Sequence, residues 1–261
     1  MSHIYALVNQ KGGVGKTTTA VNLGAYIAAK GKRVLLIDLD PQANATSSLG
    51  IDKSKVPVST YDTLINNTPL SKLIQLTKRV RLDLAPSSPS LSGAEVELVA
   101  IEGRERQLKR ALEEVSTKYD YILIDCPPSL GLLTVNALVA AQGVIVPVQC
   151  EYLALEGLTR LIYTLGLVRK SLNPKLTIRG LVMTMFDGRA RLAQQVVGEV
   201  RQHFADRVFR TVIPRSVRLS EAPSYGEPIL SYAPASAGGA AYDQLAEELL
   251  NSDNGMVVSD Q

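Results

Sequence analysis

The chain has 261 residues, 46% of them hydrophobic and 20% charged, and a formal net charge of +3. That balance supplies a full hydrophobic core and is read as one compact cytoplasmic domain over residues 1–250, with a two-domain division unnecessary. No run approaches the roughly 20 apolar residues of a membrane span, and no basic start followed by an apolar segment marks a signal peptide. In chain order, Ile4–Val8, Val34–Leu39, Tyr121–Asp125, Val144–Val148 and Leu181–Phe186 are short runs rich in Val, Ile and Leu. They read as strands buried on both faces of a parallel sheet. Helices are expected between them: Thr17–Lys30 closed by Gly31, Arg104–Lys118, Leu132–Ala141 closed by Gly143, Leu155–Leu172 stopped before Pro174, and Leu192–Phe204. From Gly50 to Leu91, Pro57, Pro69, Pro86 and Pro89 interrupt the pattern, leaving short helices and one strand near Val80–Ala85. Residues 251–261 read as a frayed acidic tail. The alternation predicts an α/β fold with a doubly wound, mostly parallel sheet and ligand sites at the carboxyl ends of its strands.

Directly after the first strand stands Lys11-Gly12-Gly13-Val14-Gly15-Lys16-Thr17-Thr18. A strand-to-helix turn of this kind needs glycines so that successive backbone N–H groups can face a phosphate, with Lys16 pairing the β/γ-phosphates and the Thr17 hydroxyl on Mg²⁺. The common pattern G-x-x-x-x-G-K-[ST] requires glycine at position 10, where Gln10 stands, and Lys11 adds a second cation. After the second strand come Asp38 and Asp40, carboxylates two residues apart that share a strand face beside the phosphate loop. An isolated Asp-Pro would equally suit a turn cap before Pro41. The run Tyr121 to Asp125 ends in a carboxylate and reads as Walker B, with Asp125 holding Mg²⁺ through water. Cys126 and Cys150 lack zinc spacing and read as buried thiols.

Charge is uneven along the chain. Residues 179–218 hold eight arginines, no lysine and three carboxylates, a net +5 that leaves −2 for the remainder. Clustered arginine is the footprint of phosphate-backbone binding, although any single arginine also suits a solvated face. Without tryptophan, and with three phenylalanines, the chain offers no series of stacking aromatics, so duplex binding without base reading is expected.

The motifs together resemble the deviant Walker A motif K-G-G-x-G-K-[ST] of the ParA, Soj and MinD superfamily. Similarity to chromosome-type ParA/Soj runs from Ile4 to about Leu250, including Val212 to Pro228. The resemblance implies an ATPase with ATP and Mg²⁺ as cofactors, closing on ATP into a homodimer in which Lys11 reaches the partner's phosphates. In the segment similar to D-x-D-P-Q-G-N, Asp40 would orient the attacking water and stand as a further candidate for the metal, and Ala43 replaces the glycine. Met185 and Pro214 would be apolar walls of the base pocket, and Arg189 and Arg218 would contact non-specific double-stranded DNA. DNA binding would place the protein on the nucleoid, without a stable membrane anchor, and a ParB-type partner would stimulate hydrolysis and release it. Two rivals remain. A MinD-like membrane-cycling ATPase needs a basic amphipathic C-terminal helix, where this chain has Glu247-Glu248-Leu-Leu-Asn-Ser-Asp253. An iron–sulfur electron-transfer ATPase needs thiolates at the dimer face.

Overall fold

The computed structural model describes residues 2–151 and 154–259. Its elements are β1 (His3–Leu7), α1 (Lys16–Ala29), β2 (Val34–Asp38), α2 (Asn44–Ser48), α3 (Thr60–Asn66), β3 (Gln75–Leu76), β4 (Leu82–Ala85), α4 (Leu91–Glu97), α5 (Gln107–Glu113), β5 (Tyr121–Asp125) and α6 (Leu132–Ala140). There follow β6 (Gly143–Gln149), α7 (Ala154–Ser171), β7 (Thr177–Phe186), α8 (Arg191–Phe204), β8 (Val208–Pro214), α9 (Val217–Glu221), α10 (Ile229–Tyr232) and α11 (Ala237–Ser259).

The strands form one sheet in the order β3-β4-β2-β5-β1-β6-β7-β8. All neighbours are parallel except the β3–β4 pair at the edge. Period-two alternation divides each strand between two cores. Tyr5 and Leu7, Val34 and Leu36, and Tyr121 and Leu123 face a core completed by α1 and α11. Ala6 and Val8, Leu35 and Ile37, and Ile122 and Ile124 face the other, with α3 to α8. The order turns at β1: β5 lies on one side and β6 on the other, which is the arrangement that opens a ligand crevice at the carboxyl edge. Among the described residues no helix is long and apolar enough to cross a membrane.

Two expectations change, and one strand was not anticipated. The helix expected over 104–118 shortens to α5, flanked by 3-10 turns at Arg104–Arg106 and Ser116–Lys118. The edge strand β8 has only two fully buried positions, Phe209 and Ile213, and therefore lacks the apolar run that marks an inner strand. The frayed tail is also corrected. Helix α11 continues past Asn251, and Asp253 is 1% exposed, held by the Tyr5 hydroxyl (2.8 Å), the Tyr121 hydroxyl (3.0 Å) and Arg179 Nε (2.8 Å). Only residues 260 and 261 of that segment lie outside the described residues. An acidic tail thus supplies the one carboxylate that a buried arginine requires.

Candidate nucleotide site

The loop between β1 and α1 is shaped by two glycines with left-handed backbone, Gly13 (φ 74°) and Gly15 (φ 88°), a conformation that costs other residues a Cβ clash. Gly15 is the residue before α1, so the loop delivers the first N–H groups of a fourteen-residue helix, together with its positive end, to the sheet's carboxyl edge. Two polar side chains that the motif does not include brace it. Thr184 at the end of β7 donates its hydroxyl to Val14 O (2.8 Å), and Asn9 donates to Pro147 O (2.7 Å) while accepting from Lys11 N (3.0 Å). Neither belongs to an apolar pattern or a spacing signature, so sequence reasoning passed over both.

The two loop lysines occupy different settings. Lys16 is 6% exposed, and its ammonium donates to Lys11 O at 3.2 Å. Burial lowers its pKa, opposed by the nearby Asp125 charge. Lys11 is exposed, and its ammonium pairs with Glu151 Oε2 at 2.9 Å rather than turning into its own loop.

Three carboxylates, Asp38, Asp40 and Asp125, lie at or just past the ends of β2 and β5, and they are not equivalent. Parallel pairing puts Asp38 and Asp125 side by side at the ends of β2 and β5. Asp38 accepts from Thr46 N (2.8 Å), Thr46 Oγ1 (2.7 Å) and Asp40 N (3.1 Å), so it anchors the turn into α2 and has little left to offer a ligand. The two carboxylates read from the sequence as sharing one strand face therefore differ in their partners. Among the described residues the Asp40 carboxylate accepts only from Gln42 N (2.9 Å) in the same turn, where Ala43 adopts φ 52° as a glycine would. Asp125 is fully buried, and among the described residues neither of its oxygens has a hydrogen-bond partner. Burial first, and the Asp38 charge second, push its pKa well above the usual carboxylate range, with the Thr17 hydroxyl, close by but without the geometry of a hydrogen bond, and Lys16 pulling the other way.

An orphaned buried carboxylate is costly unless a cation or proton meets it. Among the described residues no three His, Cys, Asp or Glu side chains converge as a complete metal cage. A divalent cation here would rest on Asp125, Thr17 and non-protein oxygens, which suits Mg²⁺, an ion that keeps waters and shares phosphates.

Beyond the loop lies a cavity of about 360 Å³ lined by Gly15, Thr18, Met185, Pro214, Leu219 and Tyr242. The structure brings Met185 and Pro214 together with the phosphate loop in one space. Met185 adopts φ 53°, so the backbone bends at the mouth of the crevice. Tyr242 enters from α11 and meets the Thr19 hydroxyl at 3.1 Å.

The arginines of residues 179–218 differ in setting. Arg179 is buried against Asp253, and so leaves the surface charge. Arg201 donates to Arg210 O, near the start of β8, whereas Arg189 and Arg218 follow the ends of β7 and β8. Both are exposed and locally paired, Arg189 with Asp187 (3.1 Å) and Arg218 with Glu221 (2.9 Å). Cys126 and Cys150 are buried; burial raises both thiols, Cys150 to about 11, an environment opposed to thiolate ligation.

The fold and the loop define a P-loop nucleotide-binding protein of the deviant Walker A type. A family model described as an AAA domain matches residues 2–178. The sporulation initiation inhibitor protein Soj of Bacillus subtilis is 56% identical over 249 residues, covering 95% of this chain and 98% of the relative. The chromosome-partitioning ATPase Soj of Treponema pallidum is 51% identical over 253 residues, covering 97% and 99%. A structure of cobyrinic acid a,c-diamide synthase from Mycobacterium smegmatis with bound ADP and magnesium superposes with a TM-score of 0.85 at 39% identity, covering 96% of this chain and 94% of that one. The chain belongs to the ParA/Soj family of chromosome-partitioning ATPases.

Proposed function

We propose that the chain runs an ATP-driven partitioning cycle: ATP with Mg²⁺ closes a homodimer, the dimer holds DNA without reading its sequence, and a ParB-type partner accelerates hydrolysis and so release. The observation that carries this reading is the Asp125 carboxylate, buried without a hydrogen-bond partner beside Lys16 and Thr17 at the foot of the phosphate loop. Asp125 and Thr17 would hold Mg²⁺, which when bound would supply neutralisation of the charge that develops on the phosphates. Lys16 carries positive charge toward the β/γ-phosphates from a desolvated position, where such charge acts strongly. Asp40, held by Gln42 N but otherwise open, orients the attacking water. Met185 and Pro214 give the base apolar contact in the adjoining cavity.

Lys11 is exposed and directed to Glu151, which supports a role outside its own phosphate site, on the nucleotide of a second subunit. Arg189 and Arg218, exposed at the same edge, supply phosphate-backbone contacts. A membrane-cycling role gains no support from α11, which buries Tyr242, Leu245 and Leu249 against its own sheet.

Gel filtration with and without ATP tests the assignment. Lys16→Ala is expected to abolish ATP binding, whereas Lys11→Ala binds ATP and stays monomeric; a Lys11→Ala protein that dimerises overturns the trans role. On duplex DNA, Arg189→Glu with Arg218→Glu should weaken binding to all sequences alike and flatten the salt dependence by about 0.9 in logarithmic slope for each phosphate that the variant leaves unneutralised. An unchanged slope would move the DNA surface elsewhere.

A further inference from the structure

At the amino edge of the sheet, on the side away from the phosphate loop, α7, the start of β7 and the 3-10 turn Ala205–Arg207 enclose a cleft of about 270 Å³. Its floor is apolar: Leu165 and Leu176 are buried, with Ile162 and Ile178 half-buried beside them. Two cations line its exposed rim, Arg169 in the last turn of α7 and Arg207 at the end of the 3-10 turn. Among the described residues neither guanidinium has a hydrogen bond or an ion pair. Arg179, two residues beyond Thr177, is different: it lies across β7 from Ile178 and is paired with Asp253.

Charge around the cleft is one-sided. No Asp or Glu occurs from residue 157 to residue 186, which takes in most of α7 and all of β7. Exposed Lys170 and Lys175 add to the positive side, and the 3-10 turn contributes one carboxylate, exposed Asp206, which does not pair with Arg207. Gly166 keeps the space open. It lies in the interior of the eighteen-residue α7, where glycine is less favourable than alanine, and a Cβ there would meet no atom within 4 Å. Packing within the chain therefore does not call for glycine at this position, and a larger side chain would enter the cleft.

We propose that this cleft binds a small anion with an aliphatic tail, the head on Arg169 and Arg207 and the tail on the floor of Leu165 and Leu176. Unpaired guanidiniums recognise carboxylate or phosphate oxygens through charge-assisted, forked hydrogen bonds. The floor gains by being removed from water, which a phosphate backbone without a tail would not achieve. The volume lies just under the roughly 300 Å³ at which pockets for drug-sized ligands begin, so it suits one short free chain. The site is separate from the nucleotide crevice and does not depend on the partitioning cycle.

The test is calorimetric titration of the full chain with octanoate and with octyl phosphate. One ligand per chain is expected, and Lys16→Ala should bind it as the unaltered chain does. Octanol, which lacks the charged head, and acetate, which lacks the tail, should each bind about 10-fold more weakly or worse. Arg169→Gln with Arg207→Gln should weaken octanoate by about 10-fold or more. Gly166→Leu, which introduces a good helix former and fills the cleft, should do the same. Both variants should keep ATP-dependent dimerisation. Failure of both octanoate and octyl phosphate to bind overturns the site, as does octanoate binding that survives Gly166→Leu or the double glutamine change, or that is lost in Lys16→Ala. Acetate or octanol binding as tightly as octanoate removes the need for tail or head and overturns it too. Displacement of octanoate by a duplex oligonucleotide would assign the two arginines to DNA. Sedimentation with phosphatidylglycerol vesicles without binding of either free probe would assign them to a lipid surface, and either result overturns a site for a free ligand.

Discussion

The two edges of the sheet each bury a carboxylate, and they treat it in opposite ways. At the amino edge, Asp253 is enclosed by Arg179, Tyr5 and Tyr121, with the His3 ring stacked on Tyr121 at 5.0 Å. At the carboxyl edge, Asp125 has no hydrogen-bond partner. A satisfied buried ion pair gives a helix one docking position. An unsatisfied buried carboxylate waits for a cation, and holding it without one costs stability. The amino edge is thus built for the fold and the carboxyl edge for a ligand.

The sharpest way to break this contrast is to remove each carboxylate. Asp253→Ala leaves the Arg179 guanidinium, 8% exposed, without its counter-charge. A loss of about 3–5 kcal/mol in urea unfolding is expected. A loss below about 1 kcal/mol would show that the amino-edge cluster is incidental.

Asp125→Asn should act in the opposite sense. Turnover is expected to fall roughly 100-fold or more, while the ligand-free protein is as stable as before or more so. The pH dependence sharpens this expectation. Because the folded pKa of Asp125 lies above its unfolded value, the folded state holds the extra proton. The stability contributed by that proton is full below the unfolded pKa and is lost as pH rises through the folded one. The advantage of Asp125→Asn over the unaltered chain should therefore grow with pH in unfolding curves taken from about pH 5 to about pH 8, and Mg²⁺ should shrink it at the upper end. A variant that is less stable at every pH would place Asp125 with Asp253 as a structural group.

The smallest effect concerns backbone strain at the carboxyl edge. Ala43 at φ 52° is fully buried. Glycine relieves a left-handed penalty of roughly 1 kcal/mol but loses a buried methyl worth about 0.8 kcal/mol. Ala43→Gly should accordingly shift stability by less than about 0.5 kcal/mol in the same assay, the residual of those two opposing effects. A gain well above that would show strain stored beside Asp40.

Much of this molecule was legible in the chain itself. Inner parallel strands are buried on both faces, so β1, β2, β5 and β6 stand out as apolar runs, and a turn that must bring backbone N–H groups to phosphate calls for glycines that local spacing reveals. Those two facts single out Lys16, Thr17 and the strand-end Asp125 as candidates, whereas Asp40, two residues past β2, owes its candidacy to the resemblance. What local pattern could not reveal depends on residues distant along the chain. β8 is half exposed at the sheet edge and shows no continuous apolar run, while Asn9 and Thr184 brace the loop through partners on β6 and within the loop itself. Asp38 and Asp40 look alike on a strand, but only the fold brings Thr46 to one and leaves the other open. The arginine segment is continuous in sequence, but the fold withdraws one member from the surface, because Arg179 meets Asp253 across 74 residues. Periodicity and backbone conformation are short-range physics, recorded residue by residue. The satisfaction of a buried charge is settled by whichever group packing brings within hydrogen-bond reach, and only the tertiary structure decides that.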